Sequence, residues 1–162
     1  MAVTFVVVPQ WQGSVSPRAM RLADGAEAIR GDLPTSATRE VDVPVESGEA
    51  LDTGVLRYSS LHRVHERLLT TLAHVEDIAL TIGGDCGVSL GAVEHALKRT
   101  SGDLAVVWFD AHPDLNSPAD SPSGAFTGMV LRDVTEQRAF ERVRSEFVLR
   151  ASHELRTPCS YT

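Results

Sequence analysis

Apolar residues fall along the chain in short runs and stripes that predict alternating strands and helices. Residues 4–8 (Thr-Phe-Val-Val-Val) form an unbroken β-branched and aromatic run, closed by Pro9, as expected of a buried first strand. Over 17–29, Met20, Leu22, Ala23, Ala26 and Ile29 recur close to helical spacing. Residues 38–43 predict a second short strand bounded by Pro44, and 48–54 a loop. The most regular amphipathic helix is predicted over 55–75, with Leu61, Val64, Leu68, Leu72 and Val75 on one stripe. Residues 77–82 predict a third strand running into Gly83-Gly84, and 87–99 a third helix. The wholly apolar run 104–109 (Leu-Ala-Val-Val-Trp-Phe) predicts a fourth strand. Residues 116–128 are rich in Ser, Pro, Ala and Gly and read as a loop, followed by a short strand over 128–132.

Strands that are apolar throughout and alternate with helices imply an α/β fold, its parallel sheet covered on both faces. About four strands are expected. Such sheets bind ligands beyond the carboxyl ends of their strands. Two suggestive segments, Gly83-Gly-Asp-Cys-Gly87 and Asp110-Ala-His-Pro-Asp114, begin at such ends. From Asp133 the texture changes. Phe140, Val143, Phe147 and Ala151 make a 3-4-4 stripe amid Arg and Glu, predicting a long C-terminal α-helix with a partner-seeking face, limited by Pro158. The chain therefore divides into an α/β unit over 1–130 and a helical unit over 131–162.

Composition narrows the function classes. The chain has 162 residues, 43% hydrophobic and 23% charged, which suits a globular protein of one ordinary domain. A net charge of −7 speaks against a nucleic-acid footprint, which needs a basic stripe. No apolar run approaches the ~20 residues that cross a bilayer, and the start lacks the basic region of a signal peptide. Cys86 and Cys159 lie far apart with no metal-finger spacing, as expected in a reducing, cytoplasmic setting.

Asp110, His112 and Asp114 alternate, so in an extended segment their side chains share one side. Two carboxylates and an imidazole suit a fairly hard divalent ion such as Mn²⁺, and closely packed carboxylates need a cation to offset their repulsion. The same residues can instead cap a turn, with His112 at the surface. His62 and His65, three apart on the 55–75 helix, are expected at the surface, as are His74 and His95.

The segments Gly83-Gly-Asp-Cys-Gly87, Val106-Val-Trp-Phe-Asp-Ala-His-Pro-Asp-Leu-Asn116 and Ser121-Pro-Ser-Gly-Ala-Phe-Thr-Gly-Met129 resemble the arginase/agmatinase (ureohydrolase) superfamily over about residues 1–130. The resemblance implies a three-layer α/β fold, two Mn²⁺ ions and hydrolysis of a guanidino C–N bond in an arginine- or agmatine-like substrate. By it Asp110, His112 and Asp114 are metal ligands, with Asp114 at the catalytic centre, while Asn116 and Ser123 contact substrate. Cys86 stands where the family has a histidine ligand; it either binds as a softer thiolate or is a small buried residue at a helix start. Thr127 stands where arginases carry a proton-transferring histidine, a task a hydroxyl does not perform near neutral pH. The family draws further metal carboxylates from an Asp-x-Asp box downstream, for which the chain offers no match, so weak metal binding and little or no hydrolysis are expected.

A second resemblance covers residues 131–162. Ser145-Glu-Phe-Val-Leu-Arg-Ala-Ser-His-Glu-Leu-Arg-Thr-Pro158 is similar to the phosphoacceptor box of sensor histidine kinases, and 131–136 to the exit of a sensor domain into its signalling helix. It implies that His153 accepts a phosphoryl group, an imidazole nitrogen being a competent nucleophile. The alternative function is thus a dimerisation and phosphoacceptor segment. Homo-oligomers are expected through this helix or through an open sheet edge.

Overall fold

The computed structural model describes residues 2–132. Its centre is a three-stranded parallel sheet in the order β2-β1-β3, built from β1 (Val3–Val8), β2 (Thr38–Glu40) and β3 (Ile78–Gly83). Registers run Val7 against Glu40 on one side of β1 and Val7 against Ile82 on the other. The central position explains the composition of β1. Val6, Val7 and Val8 are fully buried because helices cover both faces.

Helix α1 (Arg21–Gly31) lies on one face and packs against β1 and β3. Helices α2 (Tyr58–Leu72) and α3 (Ser89–Arg99) lie together on the other. The α2 stripe behaves as its spacing predicts: Leu61, Val64, Leu68 and Leu72 are all buried. Val64, Leu68 and Leu72 meet Val6, Val8, Val41, Val75 and Val88 in the main core. A second cluster joins Leu61 to Val55, Phe126, Met129 and Val130, clamping the 116–130 loop onto α2. Burying such side chains stabilises by about 1.5–3 kcal/mol each.

Several expectations need correction. The predicted helix over 17–29 begins only at Arg21, after turns, and the predicted strand over 38–43 pairs only over Thr38–Glu40, although the Val41 amide still donates to the Val7 carbonyl at 2.9 Å. The predicted strand over 128–132 is absent: a turn over Phe126–Gly128 leads into helical backbone at 130–132. The largest departure is the fourth strand. Residues 104–109 keep strand-like alternation, with Ala105, Val107 and Phe109 outward and Leu104, Val106 and Trp108 inward, yet join no sheet. Hydrophobic pattern reports burial preference, whereas ladder pairing needs a neighbour that pattern alone does not supply. The predicted C-terminal helix and His153 lie outside the described residues. Among the described residues no helix is long and apolar enough to cross a membrane.

Candidate metal site

The carboxyl end of β3 builds one wall of the site. Gly83 and Gly84 follow because a side chain there has no room: a Cβ on Gly84 would overlap the Gln10 carbonyl, and one on Gly83 would strike Val88. Asp85 then caps the Cys86–Val88 turn, accepting from the Gly87 amide at 2.8 Å. It also accepts from Gln10 Nε2 at 2.8 Å and from the Gly13 amide at 2.9 Å. Burial pushes the Asp85 carboxyl up, and these three donors hold it back toward the charged form. Asp85 thus ties the β1 exit loop to the β3 exit loop and fixes Cys86 beside them. Its motif was visible in the sequence; its structural role was not assigned there.

The other wall is the segment after Trp108. Asp110 Oδ1 accepts from the His112 amide at 2.9 Å, closing a tight bend. Asp114 adopts a left-handed backbone, φ 48°, a conformation Asp tolerates better than most residues. Its carbonyl accepts from the amides of Leu131 at 3.0 Å and Arg132 at 3.2 Å. The bend, rather than extended alternation, brings the two carboxylates together.

Ligand atoms of Cys86, Asp110 and Asp114 all lie within 4.8 Å of one another. Asp114 is only 5% exposed, and its Oδ2 is buried with no hydrogen-bond partner among the described residues. Burial raises the Asp114 carboxyl above the usual range, and the neighbouring Asp110 charge adds to the rise. Burial likewise pushes the Cys86 thiol up to about 12, with Asp114, Asp85 and Asp110 contributing. The thiol donates weakly to the Thr127 carbonyl at 3.6 Å. Among the described residues the indole Nε1 of Trp108 is also buried without a hydrogen-bond partner, though the indole still favours the Asp114 carboxylate. A half-buried group of acidic ligands with an orphaned carboxylate oxygen is what a cation would relieve.

The structure therefore brings together Cys86, Asp110 and Asp114 and leaves His112 at the rim. The His112 side chain is 80% exposed, with Nδ1 3.5 Å from Asp110 Oδ1. Asn116 and Ser123 are exposed on the following loop. The Asn116 amide is tied to the Gly128 carbonyl at 2.9 Å, and Ser123 Oγ accepts from the Ala125 amide at 3.3 Å. Away from the site, His65 is more constrained than expected. It pairs with Glu94 across α2 and α3 at 2.9 Å, and both side chains are mostly buried. His95 departs too: its Nε2 is buried without a partner among the described residues, and burial lowers its pKa.

Residues 11–149 match the sequence profile of the arginase family. Arginase from Staphylococcus aureus (strain MSSA476) is 33% identical over 128 residues, 75% of this chain and 42% of that protein. The crystal structure of Entamoeba histolytica arginase with L-ornithine superposes with TM-score 0.66 at 28% identity, covering 80% of this chain and 48% of that one. The chain thus spans less than half the length of these relatives. A 43-residue stretch, 25% of the chain, is 77% identical to the alginate biosynthesis sensor protein KinB of Pseudomonas aeruginosa, covering 7% of that protein.

Proposed function

Because the chain belongs to the arginase family, we propose that its Cys86–Asp110–Asp114 cluster is a divalent-cation site, with Mn²⁺ as the ion it takes best. The carrying observation is the convergence of three ligand atoms within 4.8 Å around the unpartnered Asp114 Oδ2. Asp110 and Asp114 supply hard oxygen donors. His112 needs only a side-chain rotation to add a nitrogen, since its Nδ1 already lies 3.5 Å from Asp110 Oδ1. Cys86 gives up its proton to ligate, and a thiol pushed up to about 12 resists that until a cation is present. When bound, such an ion lowers the pKa of water and makes hydroxide available near neutral pH.

The substrate class proposed is a guanidino compound, by analogy with the arginase relatives. Asn116 and Ser123, exposed two and nine residues beyond Asp114, would hold its amino-acid end by hydrogen bonds, by the same analogy. Asp114, held in place through its own main-chain carbonyl, orients the reacting centre. Thr127, whose carbonyl anchors Cys86, offers no proton shuttle at neutral pH. One softer ligand and no shuttle together predict weak hydrolysis at most. Urea release from arginine, measured with and without Mn²⁺, tests this. The reading expects a rate at or just above background that falls to background in Asp114→Asn. Turnover at the usual enzyme scale of about 1–10³ s⁻¹ would overturn the expected weakness.

As a second reading we propose that residues 131–162 are a signalling segment in which His153 accepts a phosphoryl group, a reading supported by the 43-residue match to a sensor protein. Labelled ATP and a separate histidine-kinase ATP-binding domain test it. Acid-labile label lost in His153→Gln supports the role, and no such label rejects it.

A further inference from the structure

A cavity of about 330 Å³ lies between α2 and the start of α3, and none of Cys86, Asp110 and Asp114 lines it. Its wall is mainly apolar, with Leu61, Leu68, Val88, Leu90 and Phe126 contributing. Small-molecule sites run from about 300 to 1,000 Å³ and combine such a lining with a few fixed polar groups. The rings of Tyr58 and His62, also in the wall, stand 5.8 Å apart between centroids and are tilted by 40°. With Phe126 they offer aromatic faces and edges to a planar guest.

The fixed polar group is Gln10, which lines the cavity and is 3% exposed. Its Nε2 donates to Asp85 Oδ1 at 2.8 Å, an oxygen that also accepts from the Gly87 amide at 2.8 Å. Turning the amide over would lose that bond, so its orientation is set. Gln10 Oε1 is left as an acceptor and receives no hydrogen bond among the described residues. A buried acceptor without a donor is costly, so a guest that supplies one gains there. The charged groups near by are spent on one another. His65 Nε2 pairs with Glu94 Oε2 at 2.9 Å, and Glu94 Oε1 takes Lys98 Nζ at 2.6 Å. His62 Nδ1 stands 3.6 Å from Glu66 Oε2. Among the described residues, the lining holds no lysine or arginine for an anion and no carboxylate for a cation.

We propose that this cavity binds a small neutral aromatic molecule carrying one N–H or O–H group, the chemistry shared by indoles and phenols. The group donates to Gln10 Oε1, and the ring packs among Leu61, Leu68, Leu90 and Phe126. An aromatic acid fits poorly, because its charge would be buried without a cation and close to the Asp85 carboxylate that holds Gln10. An aromatic without the donor leaves the Gln10 acceptor buried and unpaired. The site uses none of the metal ligands and stands whether or not an ion is bound.

The full chain is titrated with indole and followed by amide NMR shifts, in chelator so that metal loading plays no part. Saturable binding is expected with a Kd on the order of 1 mM or tighter, and the shifts should cluster at 58–65, 87–90 and 126. 1-Benzothiophene, the same bicyclic shape with sulfur in place of the N–H, should bind at least about tenfold more weakly although it is the more apolar. Indole-2-carboxylate should also bind at least about tenfold more weakly. Leu90→Trp, which fills the cavity, should weaken indole binding by at least about tenfold. Met20→Trp, at a 61% exposed position beside α1, should leave it unchanged. Circular dichroism checks that each variant folds, and the comparison of indole with 1-benzothiophene needs no variant. No saturable binding of indole, equal or tighter binding of 1-benzothiophene or of the carboxylate, shifts confined to other residues, or binding untouched in a folded Leu90→Trp would each overturn the proposal. None of these outcomes bears on the metal site.

Discussion

Asp114→Asn should stabilise the metal-free protein while removing its capacity for metal. The Asp110 and Asp114 oxygens lie within 4.8 Å of each other. Two unit charges at that distance repel by about 1 kcal/mol in water and about 3–4 kcal/mol at an effective dielectric of 20. Asp110 is exposed, which places the repulsion in the lower part of that range, at about 1–2 kcal/mol. The amide keeps the carboxylate's shape and tolerates φ 48°. Melting followed by circular dichroism at pH 7 in chelator should therefore rise by roughly 2–6 °C. The sign with pH follows from burial and Asp110 having raised the Asp114 carboxyl. Its contribution to stability is fully present below the unfolded carboxylate pKa of about 4 and is lost as pH rises through the higher folded value. The advantage of Asn should accordingly shrink on acidification toward pH 4. With saturating Mn²⁺ the order should reverse, because only the wild type gains binding free energy. An Asn variant no more stable than wild type in chelator at pH 7 would refute the reasoning, as would an advantage that does not change with pH.

Three further outcomes follow from the packing and the site. Leu72→Ala, at a fully buried position between α2 and the sheet, should cost about 2–5 kcal/mol in urea denaturation. Gly84→Ala should destabilise measurably in the same assay, since its Cβ would meet the Gln10 carbonyl, whereas Gly25→Ala, with open space around it, should be neutral or stabilising. With its thiol pushed up to about 12, Cys86 in a Cys159→Ala background should alkylate at pH 8 on the order of a thousandfold more slowly than an ordinary exposed cysteine. That rate should keep climbing with pH toward 12, and ordinary reactivity at pH 8 would contradict the described environment.

The elements legible in the sequence were those whose signal is local. The Val6–Val8 run and the Leu61–Val64–Leu68–Leu72 stripe announce a doubly covered strand and a half-buried helix, and both are where their patterns put them. Residues 104–109 carry an equally clear pattern, but strand pairing depends on a distant neighbour, and alternation survives without one. The site shows the same division. Asp110 and Asp114 were identifiable by residue type and spacing, yet they converge through a bend and a left-handed Asp114 rather than an extended segment, which leaves His112 at the rim. The place of Cys86 depends on Asp85 bridging two loops from residues 72 and 75 positions away. Sequence offered the Gly-Gly-Asp motif without its partners Gln10 and Gly13.

The central claim is that Cys86, Asp110 and Asp114 hold a divalent cation, and calorimetric titration with Mn²⁺ tests it most directly. Saturable binding is predicted for the full chain, abolished in Asp110→Ala and Asp114→Asn and weakened in His112→Ala. Protons should be released on binding as the Cys86 thiol ionises. Binding that persists unchanged in both Asp variants, or no saturable heat in the wild type, would contradict it.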